Sequence, residues 1–241
     1  MKQAIIYRLL KVKYIFLRLF SPKFTLANSI LNKRNLYLGS LMPSDKQFYD
    51  GNFVGLAHKP ISVKDINCDL RQPLPFPDAS IEKIQGEDVL EHLEFEDARI
   101  LLDEIWRVLI PGKGVFRMSV PDYMSPLLRR RSVYNFEGEV IADLMTSTEV
   151  RYDHKNTEVK IIKTKDGNAH LWFPTFKNVH TLISKSSFKN APRIQFSQYW
   201  IDYKEFNCQE IEDLQMPVSR SVPNDNRNNG APVSIVVDLY R

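Results

Sequence analysis

Between residues 81 and 120 the chain reads strand, helix, strand, and this succession limits the possible folds more than any other feature of it. Residues 81–85, Ile-Glu-Lys-Ile-Gln, read as a short strand. Residues 95–109 place Ala98, Leu101, Leu102, Ile105, Trp106, Val108 and Leu109 at helical spacing, with acids early and Arg107 late, as the helix dipole favours. Ile110-Pro111-Gly112 breaks that helix, and residues 114–120 resume an alternating strand that ends at Pro121-Asp122. Strands joined through a helix lie parallel, because a parallel return needs a long crossover.

Further strands are expected at 35–38, 53–56, 62–66, 193–203 and 232–240, and a second helix at 176–188. The stretch from 56 to 62 has no room for a helix. Residues 123–173 are irregular and read as a cap insertion, and 217–232 (PVSRSVPNDNRNNGAP) as a loop rich in Pro, Asn and Gly. The expected fold class is therefore α/β, a mainly parallel sheet with an antiparallel C-terminal strand and helices on both faces.

Charge divides the chain. Residues 1–34 carry Lys2, Arg8, Lys11, Lys13, Arg18, Lys23, Lys33 and Arg34 and no acid, which leaves the remainder mildly acidic. The first twenty residues, MKQAIIYRLLKVKYIFLRLF, are too often interrupted by Arg and Lys for a membrane span and lack the apolar core of a signal peptide. Two readings remain: an amphipathic helix packed on the domain, or one lying on an anionic membrane through residues 1–20. The division is 1–34 as a basic helix and linker and 35–241 as one domain, in a cytoplasmic or membrane-associated protein. Cys68 and Cys208 show no metal spacing and read as reduced thiols. With no basic face outside the tail, nucleic acid is not an expected partner. Oligomeric state is not legible.

Five spaced elements carry a family likeness: Asp69-Leu70, PLPFPDAS at 73–80, VLEHL at 89–93, Glu104-Ile105-Trp106-Arg107-Val108-Leu109 with Pro111-Gly112, and Val120-Pro121-Asp122. The segment resembles the class I S-adenosylmethionine-dependent methyltransferases, in particular the type 11 group and its relatives among surface-polysaccharide genes. The resemblance extends over about residues 36–241. It implies a Rossmann-like methyltransferase fold and S-adenosylmethionine as cofactor. It also implies cofactor contacts from Gly39, Ser40, His58, Asp69, Leu70 and Gly86, with Glu87 or Asp88 facing the methyl donor or the acceptor.

Two departures stand where that cofactor would be held. The loop after the first strand, Gly39-Ser40-Leu41-Met42-Pro43-Ser44, has one glycine where the group has GxGxG. The second strand ends in Ala57 where the group has a ribose-binding acid, with His58 as a substitute and Asp65 a weaker candidate. A nicotinamide dehydrogenase is a poor reading, since no GxGxxG follows the first strand and Pro43 stands where that loop would run.

Methyl transfer to a hydroxyl would use a general base within hydrogen-bond reach. The candidates are Asp122, His170, Glu87 and Asp88, followed by Tyr123 and His154. Glu91-His92 and Arg107 read as structural residues, and Trp172 and Phe173 as packing. Two functions stay open: a methyltransferase acting on a small-molecule or glycan hydroxyl, or a methyltransferase-like binding or assembly module without cofactor.

Overall fold

The structure, a computed structural model, describes residues 35–49, 52–146, 148–153, 158–163 and 169–241. The expected helix and membrane contact in the first 34 residues, and His154, lie outside the described residues.

Seven strands build most of the main sheet: β1 (Asn35–Leu38), β2 (Phe53–Ala57), β3 (Asp65–Asn67), β4 (Lys83–Glu87), β5 (Val115–Pro121), β10 (Ile194–Trp200) and β12 (Ser234–Tyr240). With the short edge strand β11 (Phe206–Cys208), the order is β11-β10-β12-β5-β4-β1-β2-β3. The pairs among β1 to β5 are parallel, and β12 runs antiparallel to both β5 and β10. This is the Rossmann-like methyltransferase fold, with its antiparallel C-terminal strand. The expected strands are all present, with ends shifted by a few residues.

Alternation along each strand divides the apolar residues between two faces. Leu36, Leu38, Ile84, Phe116, Met118, Ile235 and Val237 point to one face, where α2 (Phe95–Val108) and α4 (Phe176–Ser184) pack. Helix α2 seats Ala98, Leu101, Leu102, Ile105 and Val108 there, and α4 seats Val179, Leu182 and Ile183. A capping box between Thr175 and Asn178 starts α4. Burial of these side chains, at roughly 1.5–3 kcal/mol each, is the main stabilising term for this face.

Helices lie on both faces, but unequally. Among the described residues, the second face carries the single turn α1 (Lys46–Tyr49) and an irregular strap between β11 and β12. The strap seats Met216 beside Leu41, Phe53 and Val115. Arg117, on β5, fastens it by donating to the carbonyls of Met216 and Glu212, both at 2.7 Å. Between β2 and β3 the connection is a loop, as its length requires.

The 123–173 segment contains more order than its sequence suggests. It holds the turn α3 (Pro126–Arg129), the pair β6 (Ser132–Tyr134) and β7 (Val140–Asp143), and the pair β8 (Thr148–Asp153) and β9 (Glu158–Lys163). Neither pair joins the main sheet.

Candidate active site

Strand order reverses between β1 and β4, which opens a crevice at their carboxyl ends. Gly39 ends β1 with φ +102°, a conformation that L side chains rarely adopt, and its N–H donates to Leu56 O at 2.8 Å. A Cβ there would meet only Val89 Cγ2 at 3.7 Å and Tyr37 Cε1 at 3.9 Å, so the backbone, not crowding, demands glycine.

The loop after Gly39 is organised by Asp65. Its carboxylate accepts from the Ser40 hydroxyl and from the N–H groups of Leu41 (2.9 Å), Ser62 (2.9 Å) and Ile61 (3.1 Å). Partial burial pushes its pKa up, but these donors outweigh burial and hold it below the usual carboxylate range. Gly55 makes room for this carboxylate, because a Cβ on Gly55 would lie 2.2 Å from Asp65 Oδ1. Ser40, expected at the cofactor, thus spends its hydroxyl on Asp65, and Asp65 carries more of the loop than its sequence position suggested. His58 is exposed just past β2.

Asp69 follows β3 and is gripped by Arg71, whose backbone N–H, Nε and Nη2 donate to it at 3.0, 2.9 and 2.7 Å. These bonds lower its pKa. Leu70 is half-buried against the core. Gly86 is buried, and a Cβ there would press Leu38 Cδ1 at 3.1 Å, so packing between β1 and β4 accounts for this glycine.

Beyond β4 lies a cavity of about 430 Å³ whose wall includes Asp88, His92, His170, Arg131, Arg220 and Arg227. Asp88 has φ +51°. Its Oδ2 pairs with Arg220 at 2.7 Å, while its buried Oδ1 has no hydrogen-bond partner. Burial raises its pKa, with Arg220, His92 and two further arginines opposing. Glu87 points instead to the strap: its Oε2 accepts from Ser219 N at 2.8 Å and its Oε1 from Gln85 at 3.1 Å. Burial pushes Glu87 up to about 7.

Asp122 does not line this cavity. It is fully buried, and its oxygens accept from Met124 N at 2.9 Å and Trp200 N at 2.7 Å. It pins β10 to the end of β5, so the expected base is a structural residue. Burial pushes it up to about 7. His170 does reach the cavity, but burial lowers its pKa to about 3, which leaves it a weak base at neutral pH. Tyr123, another candidate, is buried behind His170: its hydroxyl meets Asp143 Oδ2 and His170 Nδ1 at 2.5 Å each.

Arg107 and Trp172 are structural, as expected. Arg107 pairs with Glu104 and donates to the carbonyls of Leu74 and Phe76. Trp172 donates to Leu90 O at 2.9 Å and packs edge-on against Phe95. The three cavity arginines went unforeseen, because Arg220 and Arg227 sit in a loop that shows no periodicity.

Residues 49–116 match the family model described as a methyltransferase domain. No curated protein sequence matches. Among solved structures, the chain is similar to a SAM-dependent methyltransferase from Archaeoglobus fulgidus, at 12% identity and TM-score 0.49, over 96% of this chain and 94% of that one. It is also similar to an S-adenosylmethionine-dependent methyltransferase from Mesorhizobium loti, at 16% identity and TM-score 0.38, over 95% and 97%. A third likeness is to the PH0226 protein of Pyrococcus horikoshii, at 18% identity and TM-score 0.43, over 87% and 84%. The matched segment spans β2 to the start of β5, and S-adenosylmethionine is the cofactor that the family resemblance of the sequence implies for it.

The crevice suits that cofactor. Gly39 leaves the backbone uncovered at the switch point, Asp69 and Leu70 follow β3, two strands away, and Asp88 offers a buried, unpartnered oxygen for a cationic group.

Proposed function

We propose that the chain methylates a hydroxyl of a polar small molecule or glycan, with S-adenosylmethionine as donor. The cavity beside the crevice carries this reading. Its volume is that of a small-molecule site, and its wall is polar, with an aspartate, two histidines and three arginines. Planar guanidinium donors suit a substrate rich in oxygen.

When bound, the cofactor supplies a methyl group on a sulfonium that is already electrophilic, so the protein has mainly to position the acceptor and exclude water. Gly39, Asp69 and Leu70 would hold the cofactor. Asp88 sits between crevice and cavity, and its unpartnered Oδ1 is the best-placed group to take the acceptor's proton. Its raised pKa brings it nearer the operating pH than an ordinary carboxylate. Arg220 keeps Asp88 oriented while leaving Oδ1 available.

Calorimetry with S-adenosylmethionine and S-adenosylhomocysteine tests the cofactor. Binding near micromolar, about −8 kcal/mol, is expected. Asp69→Ala should weaken it by about 1–3 kcal/mol, and an unchanged affinity removes Asp69 from the site. No heat and no thermal shift at millimolar ligand would leave a methyltransferase-like binding module. The basic segment 1–34 would suit a membrane-borne acceptor. If the full chain does not pellet with anionic vesicles at low salt, that link is lost.

A further inference from the structure

Three groups at the cavity wall face one another with no hydrogen bond between them. Glu91 and His92 lie on the 3-10 turn Leu90–His92 after β4, and His170 comes from the segment leading into α4. Glu91 is completely buried, and neither of its carboxylate oxygens has a hydrogen-bond partner. His92 Nε2 and His170 Nε2 each stand 3.9 Å from Glu91 Oε1. The two rings meet edge to face, with centroids 4.9 Å apart. One ligand atom from each of the three residues falls within 4.8 Å of the others.

The hydrogen bonds behind the rings settle which nitrogens carry protons. His92 Nδ1 lies 3.2 Å from Ala169 O, and a carbonyl only accepts, so Nδ1 is the donor and Nε2 bears the lone pair. Tyr123 has one hydroxyl proton, which goes to Asp143 Oδ2, so His170 Nδ1 donates to the tyrosine oxygen. His170 Nε2 is therefore also a lone pair. Two imidazole lone pairs and the unpartnered carboxyl group of Glu91, whose pKa burial raises well above the usual carboxylate range, thus converge, and at 3.9 Å no hydrogen bond joins them.

This is the arrangement a cation would satisfy. Metal-bound histidines characteristically donate their other ring N–H to a carbonyl or to a chain ending in carboxylate, which fixes the ring. Both rings here are held in that way. The chain behind His170 runs through Tyr123 and Asp143 to Arg131, which pairs with Asp143 at 2.9 Å. The two segments are also stapled together: Leu171 N donates to Glu91 O at 2.7 Å and Trp172 Nε1 to Leu90 O at 2.9 Å. The ligand set is thus built on rigid backbone. With metal–ligand bonds of about 2.0–2.2 Å, neighbouring tetrahedral donors stand roughly 3.4 Å apart, so the site closes with a shift of about half an ångström for the 3.9 Å pairs and of up to about 1.4 Å for the widest separation, 4.8 Å.

We propose that Glu91, His92 and His170 bind one first-row divalent cation in the wall of the cavity. Two imidazoles and one carboxylate suit Mn²⁺, Fe²⁺, Co²⁺ or Zn²⁺, and leave positions open. His92 and His170 line the cavity, so those positions face its interior. The binding site stands on these three residues alone. Its role rests on the methyltransferase reading above: a hydroxyl of the acceptor coordinated there would lose its proton to Asp88 more readily, which offsets the weakness of His170 as a base.

The test uses the full chain, stripped with a chelator and titrated with Co²⁺ alone. Visible ligand-field absorption and calorimetry are read without cofactor or acceptor, so failure here is separate from failure of the methyl-transfer reading. One saturating equivalent is expected, and added Zn²⁺ should bleach the bands. Glu91→Gln, which preserves shape, and His170→Ala should each weaken Co²⁺ binding at least about tenfold. Should His170→Ala fail to fold, Glu91→Gln decides. Absence of a saturable cobalt spectrum in the wild type, or an affinity unchanged in Glu91→Gln, overturns the site.

Discussion

Arg117→Met should loosen the strap that covers the second face of the sheet. Arg117 and Asp238 are each 1% exposed, and Nε and Nη2 of the arginine donate to the two carboxylate oxygens at 2.7 Å each. Removing the arginine strands a buried carboxylate, a loss of about 3–5 kcal/mol. A domain of this size loses roughly 2–4 °C of melting temperature per kcal/mol, so a fall on the order of 10 °C is expected. Arg117 also holds the carbonyls of Met216 and Glu212, so the strap that brings Ser219 to Glu87 and Arg220 to Asp88 loses its anchor. The double variant Arg117→Met/Asp238→Leu removes both charges. It should be no less stable than Arg117→Met, a coupling of at least about 2 kcal/mol against additivity. Urea unfolding of the four proteins measures this, and S-adenosylhomocysteine affinity reports the strap. Additive losses, or single variants within about 1 kcal/mol of wild type, would refute the account.

Asp65→Asn should cost about 1–2 kcal/mol at neutral pH, discounted for partial exposure. Because the folded pKa of Asp65 is lowered, its contribution is present above the unfolded value of about 3.9 and fades as pH falls through the folded one. Urea midpoints of variant and wild type should therefore converge in acid. Glu87 has the opposite sign, since burial raises its pKa to about 7. Its favourable contribution is complete below the unfolded value and lost as pH rises through about 7, so Glu87→Gln should gain relative stability between pH 5 and pH 8. Thermal melts across that range check it. Gly39→Ala meets only ordinary contacts, so its cost is the backbone strain alone, about 1–3 kcal/mol, and a smaller loss in urea unfolding would mean the loop relaxes.

Local periodicity made most of the fold legible. The 95–109 pattern with its Pro-Gly stop and the alternating strands on either side are short-range properties, and β4, α2 and β5 stand within two residues of expectation. Of the two hairpins in 123–173, the second alternates, with Val150 and Tyr152 opposite Val159 and Ile161, and went unread because its strands are short and stand outside the main sheet. Gly39 and Asp88 were legible as strand ends at a switch point, since strand ends follow from strand periods.

What the sequence by itself determined is a Rossmann-like parallel sheet, where it opens, and the methyltransferase class its motifs resemble. Only the tertiary structure decided what each polar side chain does there. Asp122, expected as a base, is walled in by the N–H of Met124 and by that of Trp200, 78 residues away along the chain. Glu91-His92, expected to be structural, meets His170 across the cavity wall. The strap carries Arg220 to Asp88 from the far end of the chain. Hydrogen bonds and ion pairs act over a few ångströms in space, and no period along a chain records which distant residues the fold will bring within that reach.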